Sequence, residues 1–170
     1  MVHFFLSLIT TIFTALSFLM QFFPLVEITT TNKFNPRDVT TQSNTVFDNL
    51  SIPTALLSFA FSIIALFFLL VILIRFFVQS KNEAADTVSI ILSILTSMAL
   101  LAFFIFVTLF KNANPNFSIT VNNNEIEQKQ TIQLLLYWIF SIIAFGFGLL
   151  TLATCFLTNN KKSAKNQQSL

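Results

Sequence analysis

Residues 55–78 have the sequence ALLSFAFSIIALFFLLVILIRFFV, an apolar run of 24 residues whose only charge, Arg75, comes near its end. An α-helix rises about 1.5 Å per residue, so about 20 apolar residues cross the ~30 Å hydrocarbon core of a bilayer. Three further stretches have the same character, at residues 4–26, 88–110 and 132–157. The sequence therefore predicts an all-α membrane protein with four transmembrane helices.

The composition of the whole chain agrees with a membrane protein. Hydrophobic residues make up 55% of the 170 residues and charged residues only 9%, well below the ~25% of a soluble domain. A net charge of +2 is too small for a nucleic-acid surface. The 23 phenylalanines suit lipid-facing positions, and a single cysteine excludes a disulfide within the chain.

The four stretches define one membrane domain, residues 1–158, followed by a basic cytoplasmic tail, residues 159–170. Two longer loops, 27–53 and 111–131, join the helices on one side. The first stretch has an alternative interpretation as a signal peptide, with Ala15-Leu16-Ser17 as the cleavage triplet. It lacks a basic n-region and exceeds the usual ~7–15 apolar residues, so a retained helix is favoured.

The distribution of basic residues predicts the orientation. Positive charge prefers cytoplasmic segments. The short connection 80–86, the end of the second helix and the tail hold Arg75, Lys81, Lys161, Lys162 and Lys165. The two longer loops cover many more residues and hold Lys33, Arg37, Lys111 and Lys129. We therefore expect both termini in the cytoplasm and the two longer loops outside.

Glycosylation sequons give an independent signal. Asn49-Leu50-Ser51 and Asn116-Phe117-Ser118 both fall in the loops assigned to the outside. Asn49 and Asn116 are thus candidate N-glycosylation sites in a plasma-membrane or endomembrane protein.

Small and weakly polar residues form one stripe along each helix. Lipid tails are as apolar as leucine, so such residues mark the faces where helices approach each other. The spacing alternates between three and four residues. The predicted packing residues are Ser7, Thr10, Thr14, Ser17 and Gln21 in the first helix, Ala55, Ser58, Ser62 and Ala65 in the second, Ser89, Ser93 and Thr96 in the third, and Ser141, Ala144, Gly148 and Thr151 in the fourth.

A repeat that averages 3.5 residues keeps one face toward a partner only when the helices supercoil with a left hand. The stripes therefore predict a left-handed antiparallel four-helix bundle with crossing angles near about +20°. We expect Ile, Leu and Phe on the remaining faces to meet lipid. Tyr137 and Trp138, near the outer end of the fourth helix, are expected at the membrane interface.

Both outer loops contain β-favouring segments. Residues 26–31 and 39–47 are rich in Thr, Val and Ile, and Asn35-Pro36-Arg37-Asp38 between them is typical of a turn. In the other loop, residues 117–121 alternate strictly between apolar and polar side chains. Three strands with an apolar underside are stable where a single hairpin is marginal. We expect a small extracellular β-sheet built from both loops, with flexible polar loops as the alternative.

This architecture resembles the claudin/PMP22-type tetraspan superfamily. Four helices, inside termini, a longer first outer loop and strands from both outer loops carry the resemblance, which covers most of the chain. The signature of that superfamily, a tryptophan cluster and two cysteines in the first outer loop, is absent from residues 27–53. Adhesive or paracellular-barrier activity therefore does not follow from the resemblance.

No pattern of residues indicates enzyme chemistry. No apolar stretch has an ionisable residue at its middle, and the single histidine, His3, has no partner for a metal site or a catalytic dyad. We expect no catalytic residues, metal, cofactor or small-molecule substrate. Cys155 suits either S-palmitoylation near the cytoplasmic end or simple packing, which is favoured because it continues the stripe of the fourth helix.

The predicted function is therefore non-enzymatic. The chain is expected to work by self-association or association with other membrane proteins, as an organiser, a surface or adhesion component or an accessory subunit. The alternative is an oligomeric channel or a small transporter subunit. The stripes favour the first class because each helix directs its only polar face into its own bundle, which leaves no hydrophilic lining for a pore.

Overall fold

The computed structural model describes residues 2–78, 83–113, 117–121 and 123–168, with side chains for 2–78, 87–113, 120 and 123–157. It contains four long helices and four short strands. The helices are α1 (Val2–Met20), α2 (Pro53–Val78), α3 (Glu83–Ala113) and α4 (Ile132–Gln168). The strands are β1 (Val26–Asn32), β2 (Val39–Asn44), β3 (Phe117–Val121) and β4 (Asn124–Gln130).

Each helix contains a segment long and apolar enough to cross a membrane. These segments are Val2–Met20, Pro53–Val78, Thr87–Ala113 and Ile132–Leu157. The prediction of four such helices is confirmed. The main helix contacts are α1 with α2 and α4, and α3 with the same two helices. The bundle is therefore a ring of helices in chain order.

The first helix ends earlier than the sequence pattern predicted. Its apolar run continues to Val26, but α1 stops at Met20 and the chain enters β1 at Val26 itself. The N–H groups of residues 21–23 donate to carbonyls three residues back, at 3.1 Å each, which closes the helix with a tight turn. Pro24 explains the stop, because the residue before a proline avoids the helical conformation and proline itself has no N–H.

The other helices are longer than predicted. α2 starts at Pro53, a favoured first helical residue, rather than at Ala55. α3 covers Glu83–Ala113 rather than 88–110. α4 continues to Gln168, so the basic tail extends the last helix instead of following it. Polar helix-forming residues beyond an apolar span can continue a helix in water, which a search for apolar runs does not detect.

The prediction of a small antiparallel sheet is confirmed, and the sheet has one more strand than expected. The strand order is β2-β1-β4-β3, so two hairpins join through the central β1–β4 pair. That pair runs from Val26 opposite Gln130 to Asn32 opposite Asn124. β4 is the strand that sequence reasoning missed.

The sheet lies against one end of the bundle, which we call the sheet end. Leu25, Val26 and Val46 are at most 2% exposed and belong to the same apolar core as Phe103 and Tyr137 of the helices. Ile28 packs against this core from the same face of β1 as Val26. Successive side chains of a strand point to opposite faces, so Glu27 faces away from the bundle.

Candidate functional site

The interior of the bundle contains most of the predicted packing residues. All those in α1 and α2 are fully buried, as are Ser141 and Ala144. Ser93, Thr96 and Thr151 are at most 3% exposed, and Gly148 is buried. Ser89 is the exception, with intermediate exposure. The packing residues predicted for the first two helices that are fully buried are Ser7, Thr10, Thr14, Ser17, Gln21, Ala55, Ser58, Ser62 and Ala65.

Most of these hydroxyl groups are satisfied within their own helix. Thr14 donates to the Thr10 carbonyl at 2.7 Å, and Ser58 donates to the Ala55 carbonyl at 2.8 Å. Bonds of this kind let a buried hydroxyl pack in an apolar interior without an unpaired donor. Because most of these hydroxyl groups already have a partner, the stripe acts as a surface for close packing between helices.

Several hydrogen bonds of the interior cross between helices. Gln21 Nε2 donates to Ser62 Oγ at 3.1 Å, between the end of α1 and α2. Three more bonds involve α4: Ser17 Oγ donates to the Tyr137 carbonyl at 3.2 Å, Ser97 Oγ donates to the Gly148 carbonyl at 3.3 Å, and the hydroxyls of Thr10 and Thr151 lie 3.4 Å apart. These are long bonds, typical of modest links between packed helices.

A polar layer lies just beneath the sheet. Tyr137 is fully buried there, which corrects the expectation that its ring lies at the membrane interface. Its hydroxyl approaches Ser58 without a hydrogen bond of good geometry, and Gln21 Oε1 has no partner in the described part of the chain. The spacing in the sequence already indicated this burial, because Tyr137 lies four residues before Ser141 on the same helix face.

Trp138 is half-buried and packs against the apolar core of the bundle. Its indole Nε1 donates to Thr108 Oγ1 at 3.1 Å, and Lys111 Nζ lies 4.0 Å from the ring centroid. A cation over an aromatic face is attracted by the ring quadrupole. The pair joins α3 to α4 close to the sheet end.

Gly148 lies at a close contact between helices. A Cβ atom at this position would lie 2.6 Å from Leu100 Cδ1 and 3.9 Å from Thr10 Cγ2. Leu100 is fully buried. Three helices thus meet at this glycine. Leu100 and Ser97, which is 6% exposed, are interior residues that the predicted stripe of α3 did not include.

The two faces of the sheet differ in charge. On β4, Glu125, Glu127 and Lys129 alternate with uncharged residues and therefore share the face turned away from the bundle. Glu27 lies opposite Lys129 on the same face. The other face carries Ile28 and Ile126, and near the strand tips it forms a shallow open depression lined by Thr30, Asn32, Asp38, Thr40 and Asn124.

The segment between β2 and α2 folds into a capped turn, a short 3₁₀ helix at Phe47–Asn49. Asp48 Oδ2 accepts hydrogen bonds from the Thr45 N–H at 3.0 Å and from its hydroxyl at 2.8 Å. These bonds lower the pKa of the Asp48 carboxyl, because they stabilise its charged form. The Phe47 ring packs against Phe22 and Phe59, at centroid distances of 5.8 and 6.1 Å.

Of the two candidate glycosylation sites, Asn49 is within the described residues and its side chain is engaged in a hydrogen bond. Asn49 is half-buried, and its Nδ2, the atom that would carry a glycan, donates to the Thr45 carbonyl at 2.7 Å. Asn116 lies outside the described residues. Cys155, the candidate for S-palmitoylation, is 6% exposed on the interior side of α4.

The described residues contain no group of three or more His, Cys, Asp or Glu side chains arranged to hold a metal ion. The described residues provide close helix packing, exposed apolar helix faces and a polar sheet at one end. No protein-family model matches the chain, and the comparison with curated proteins finds no match.

Proposed function

We propose that this chain is an integral membrane protein that crosses the bilayer four times. The observation that carries the proposal is an inverted distribution of side chains. Gln21 and Ser62 are fully buried, whereas Phe67 is 62% exposed and Met98 is 64% exposed on the same bundle. In water this arrangement would leave a large apolar surface unprotected, whereas in lipid the apolar side chains have a matching solvent.

The proposed orientation has both termini in the cytoplasm and the sheet outside, in the plasma membrane or an endomembrane. The basic residues of the connection 80–86 and of the tail support it, as do two sequons on the sheet side. The stripe spacing of three and four residues supports a left-handed bundle.

The proposed role is non-enzymatic association with other membrane proteins, as a surface, adhesion or accessory component. Two surfaces are available for it, the apolar outer faces of the helices and the sheet. A four-stranded sheet that combines both loops at one end of a four-helix ring supports the resemblance to the claudin/PMP22-type superfamily. The absence of its tryptophan and cysteine signature keeps that resemblance at the level of architecture.

The alternative is an oligomeric channel or a small transporter subunit. Against it, the hydroxyl and amide groups of the helices bond within the bundle, as Gln21 does with Ser62. Such bonds leave little polar surface for a pore between subunits. Conductance measured in liposomes separates the two classes. We expect none, and a stable unitary conductance from the purified protein would favour the channel.

The role of the sheet is tested by replacing residues 39–43 with a Gly/Ser linker. The replacement stops before Val46, which is fully buried, so the core stays intact. Membrane insertion and surface delivery should persist, because they depend on the apolar helices. Recovery of associated proteins after mild detergent extraction should fall.

A matched control replaces residues 34–37, in the exposed turn just before β2, with a linker of equal composition. This control should retain its associated proteins. If both variants retained their associated proteins equally, a role for β2 would be contradicted. The lipid-facing helix surfaces would then be the site of association.

A further inference from the structure

β2 is an edge strand with side chains exposed on both of its faces. Among the strands that the structure describes, it is bonded to β1 alone. Residues 39–43 are exposed, so both faces of the strand are open over that length, whereas β1 next to it has only one exposed residue, Glu27. The strand therefore projects from the sheet with one free edge and little cover on either side.

The register identifies which backbone groups this edge presents. The Asn32 N–H donates to the Asp38 carbonyl at 3.2 Å, and Asn32 continues the β1 side of the ladder in which Thr30 faces Thr40 and Ile28 faces Gln42. Backbone groups alternate in direction along an antiparallel pair. The N–H and C=O groups of Val39, Thr41 and Ser43 consequently point away from β1.

β2 itself lacks three common protections of an edge strand against pairing, namely charged residues, proline and a bulge. Edge strands are commonly blocked by lysine, by proline or by a bulge. The β2 sequence VTTQSN contains no charge and no proline, and its register with β1 is unbroken over six residue pairs. Two copies of this strand would meet without repulsion between like charges.

The orientation of the sheet suits pairing between two copies in one membrane. The face that carries Val26 and Ile28 is turned toward the bundle. A two-fold axis perpendicular to the sheet therefore runs roughly along the helices, which is the direction of the membrane normal in the proposed orientation. Such an axis places two β2 strands side by side and antiparallel, with both bundles in the same bilayer.

We propose that β2 pairs with β2 of a second copy of this chain in the same membrane, in an antiparallel register centred on Thr41. Thr41 then faces its own copy, and Val39 faces Ser43 of the second copy. The pairing continues the sheet across the two-fold axis and gives a sheet of eight strands. It rests on the proposed membrane orientation and names one partner for the association described above.

A strand ladder this short is weak by itself, since isolated strand pairs in water are marginal. Confinement of both copies to one membrane, at the same height, raises the effective concentration of the two edges. The uncharged edge and the shared two-fold axis favour a second copy over an extended segment of another protein.

Cysteine cross-linking in native membranes tests the register, with Cys155→Ala removing the single natural thiol. Hydrogen-bonded residue pairs across antiparallel strands have Cα atoms about 5.5 Å apart, within disulfide range. Mild oxidation should therefore give a dimer band with Thr41→Cys. Val39→Cys and Ser43→Cys should give that band when combined in one chain but not singly.

Two controls make the result specific. Thr29→Cys lies opposite Thr41 but on the inner strand β1, and should give no dimer. Thr41→Pro removes an N–H that points outward, so it should abolish the band of the combined Val39→Cys and Ser43→Cys chain while the helices stay folded. A dimer from Thr120→Cys, on the opposite edge strand β3, in place of the Thr41→Cys dimer would overturn the proposal.

Labelling of Thr41→Cys with an impermeant maleimide on intact cells separates this proposal from the proposed function. A labelled residue that forms no dimer would contradict strand pairing and leave the orientation standing. A product with a mass other than twice that of the chain would also overturn the second copy as the partner. If Thr41→Cys were labelled only after permeabilisation, the proposed orientation would be contradicted. Pairing of β2 strands on the outer side would then be contradicted as well.

Discussion

Gly148 lies where a larger side chain on α4 would meet Leu100 of α3. A Cβ here would lie 2.6 Å from Leu100 Cδ1 and in ordinary contact with Thr10, so any larger side chain must displace the buried Leu100 side chain. Gly148→Leu should lower the free energy of unfolding by about 1–3 kcal/mol, the usual cost of overpacking a core. The measurement is the melting temperature in detergent.

Gly146 provides a matched control two residues earlier in α4. It is exposed, and apart from its own helix backbone and chain neighbours no atom lies within 4 Å of the place where its Cβ would be. Gly146→Leu should therefore leave the melting temperature unchanged or raise it, because leucine is the better helix former. If the two variants melted alike, the close approach at Gly148 would be wrong.

The side chain of Asn49, which a glycan would modify, is held by a hydrogen bond in a folded turn. Its Nδ2 bonds to the Thr45 carbonyl in the turn before α2, so a glycan there requires the turn to open. We expect glycosidase treatment to give no mobility shift that depends on Asn49. The exposed edge strand offers a control, because Gln42→Asn combined with Asn44→Thr creates a sequon in β2. Efficient glycosylation at Asn49 would contradict the turn geometry.

Asp48 makes the same turn sensitive to acid. Hydrogen bonds from Thr45 lower the pKa of its carboxyl, so the ionised form stabilises the folded turn above the ordinary Asp pKa of about 3.9. That stabilisation is lost as the pH falls through the lowered value. The melting temperatures of the chain and of Asp48→Ala should therefore converge as the pH decreases from about 5 to about 3. Thr45→Val should reduce the difference at the higher pH, and a difference that grows in acid would contradict this assignment.

At the scale of elements, the helices were largely predictable and their ends were not. Apolar length identifies a membrane helix because the bilayer sets it. That criterion failed at α1, where Leu25 and Val26 continue the apolar pattern yet belong to the sheet and its junction with the bundle. Their burial under the loops, not contact with lipid, accounts for their apolar character. Pro24 was the local signal that marked the boundary.

β4 shows why one strand escaped prediction. Its sequence NEIEQKQ has a single apolar residue and several residues that are poor in strands. It forms because β1 and β3 pair with it on both sides. Cross-strand partners, such as Lys129 opposite Glu27, stabilise a sheet more than intrinsic preference does. Pairing between distant loops is not visible in the sequence of either one.

Proline scanning of β2 tests its register. Gln42 directs its N–H toward β1, opposite Ile28, whereas Thr41 directs its N–H away from the sheet. Gln42→Pro should therefore destabilise the β1–β2 hairpin more than Thr41→Pro, because only the former removes a ladder hydrogen bond. Amide hydrogen exchange of β1 reports the difference. Faster exchange in Thr41→Pro than in Gln42→Pro would indicate that the register differs by one residue from the one in the structure.

At the scale of the whole molecule, the interior followed from the sequence because one rule governs all four helices. Small and hydroxyl-bearing residues at spacings of three and four lie inside, as Ser7 and Ala144 do. The burial of Leu100 and the cross-link made by Ser97 did not follow from that rule. They depend on how one helix is rotated against another, which residue spacing within a helix does not determine.

Residue accessibility in intact cells tests the central claim, four membrane crossings with the sheet outside, most directly. Single cysteines at Thr40, Asn123, Asn82 and Ser163, in the Cys155→Ala background, report the two outer loops, the short connection and the tail. We predict that an impermeant maleimide labels Thr40→Cys and Asn123→Cys on intact cells and labels Asn82→Cys and Ser163→Cys only after permeabilisation. Labelling of Asn82→Cys from outside, or protection of Thr40→Cys, would contradict the account.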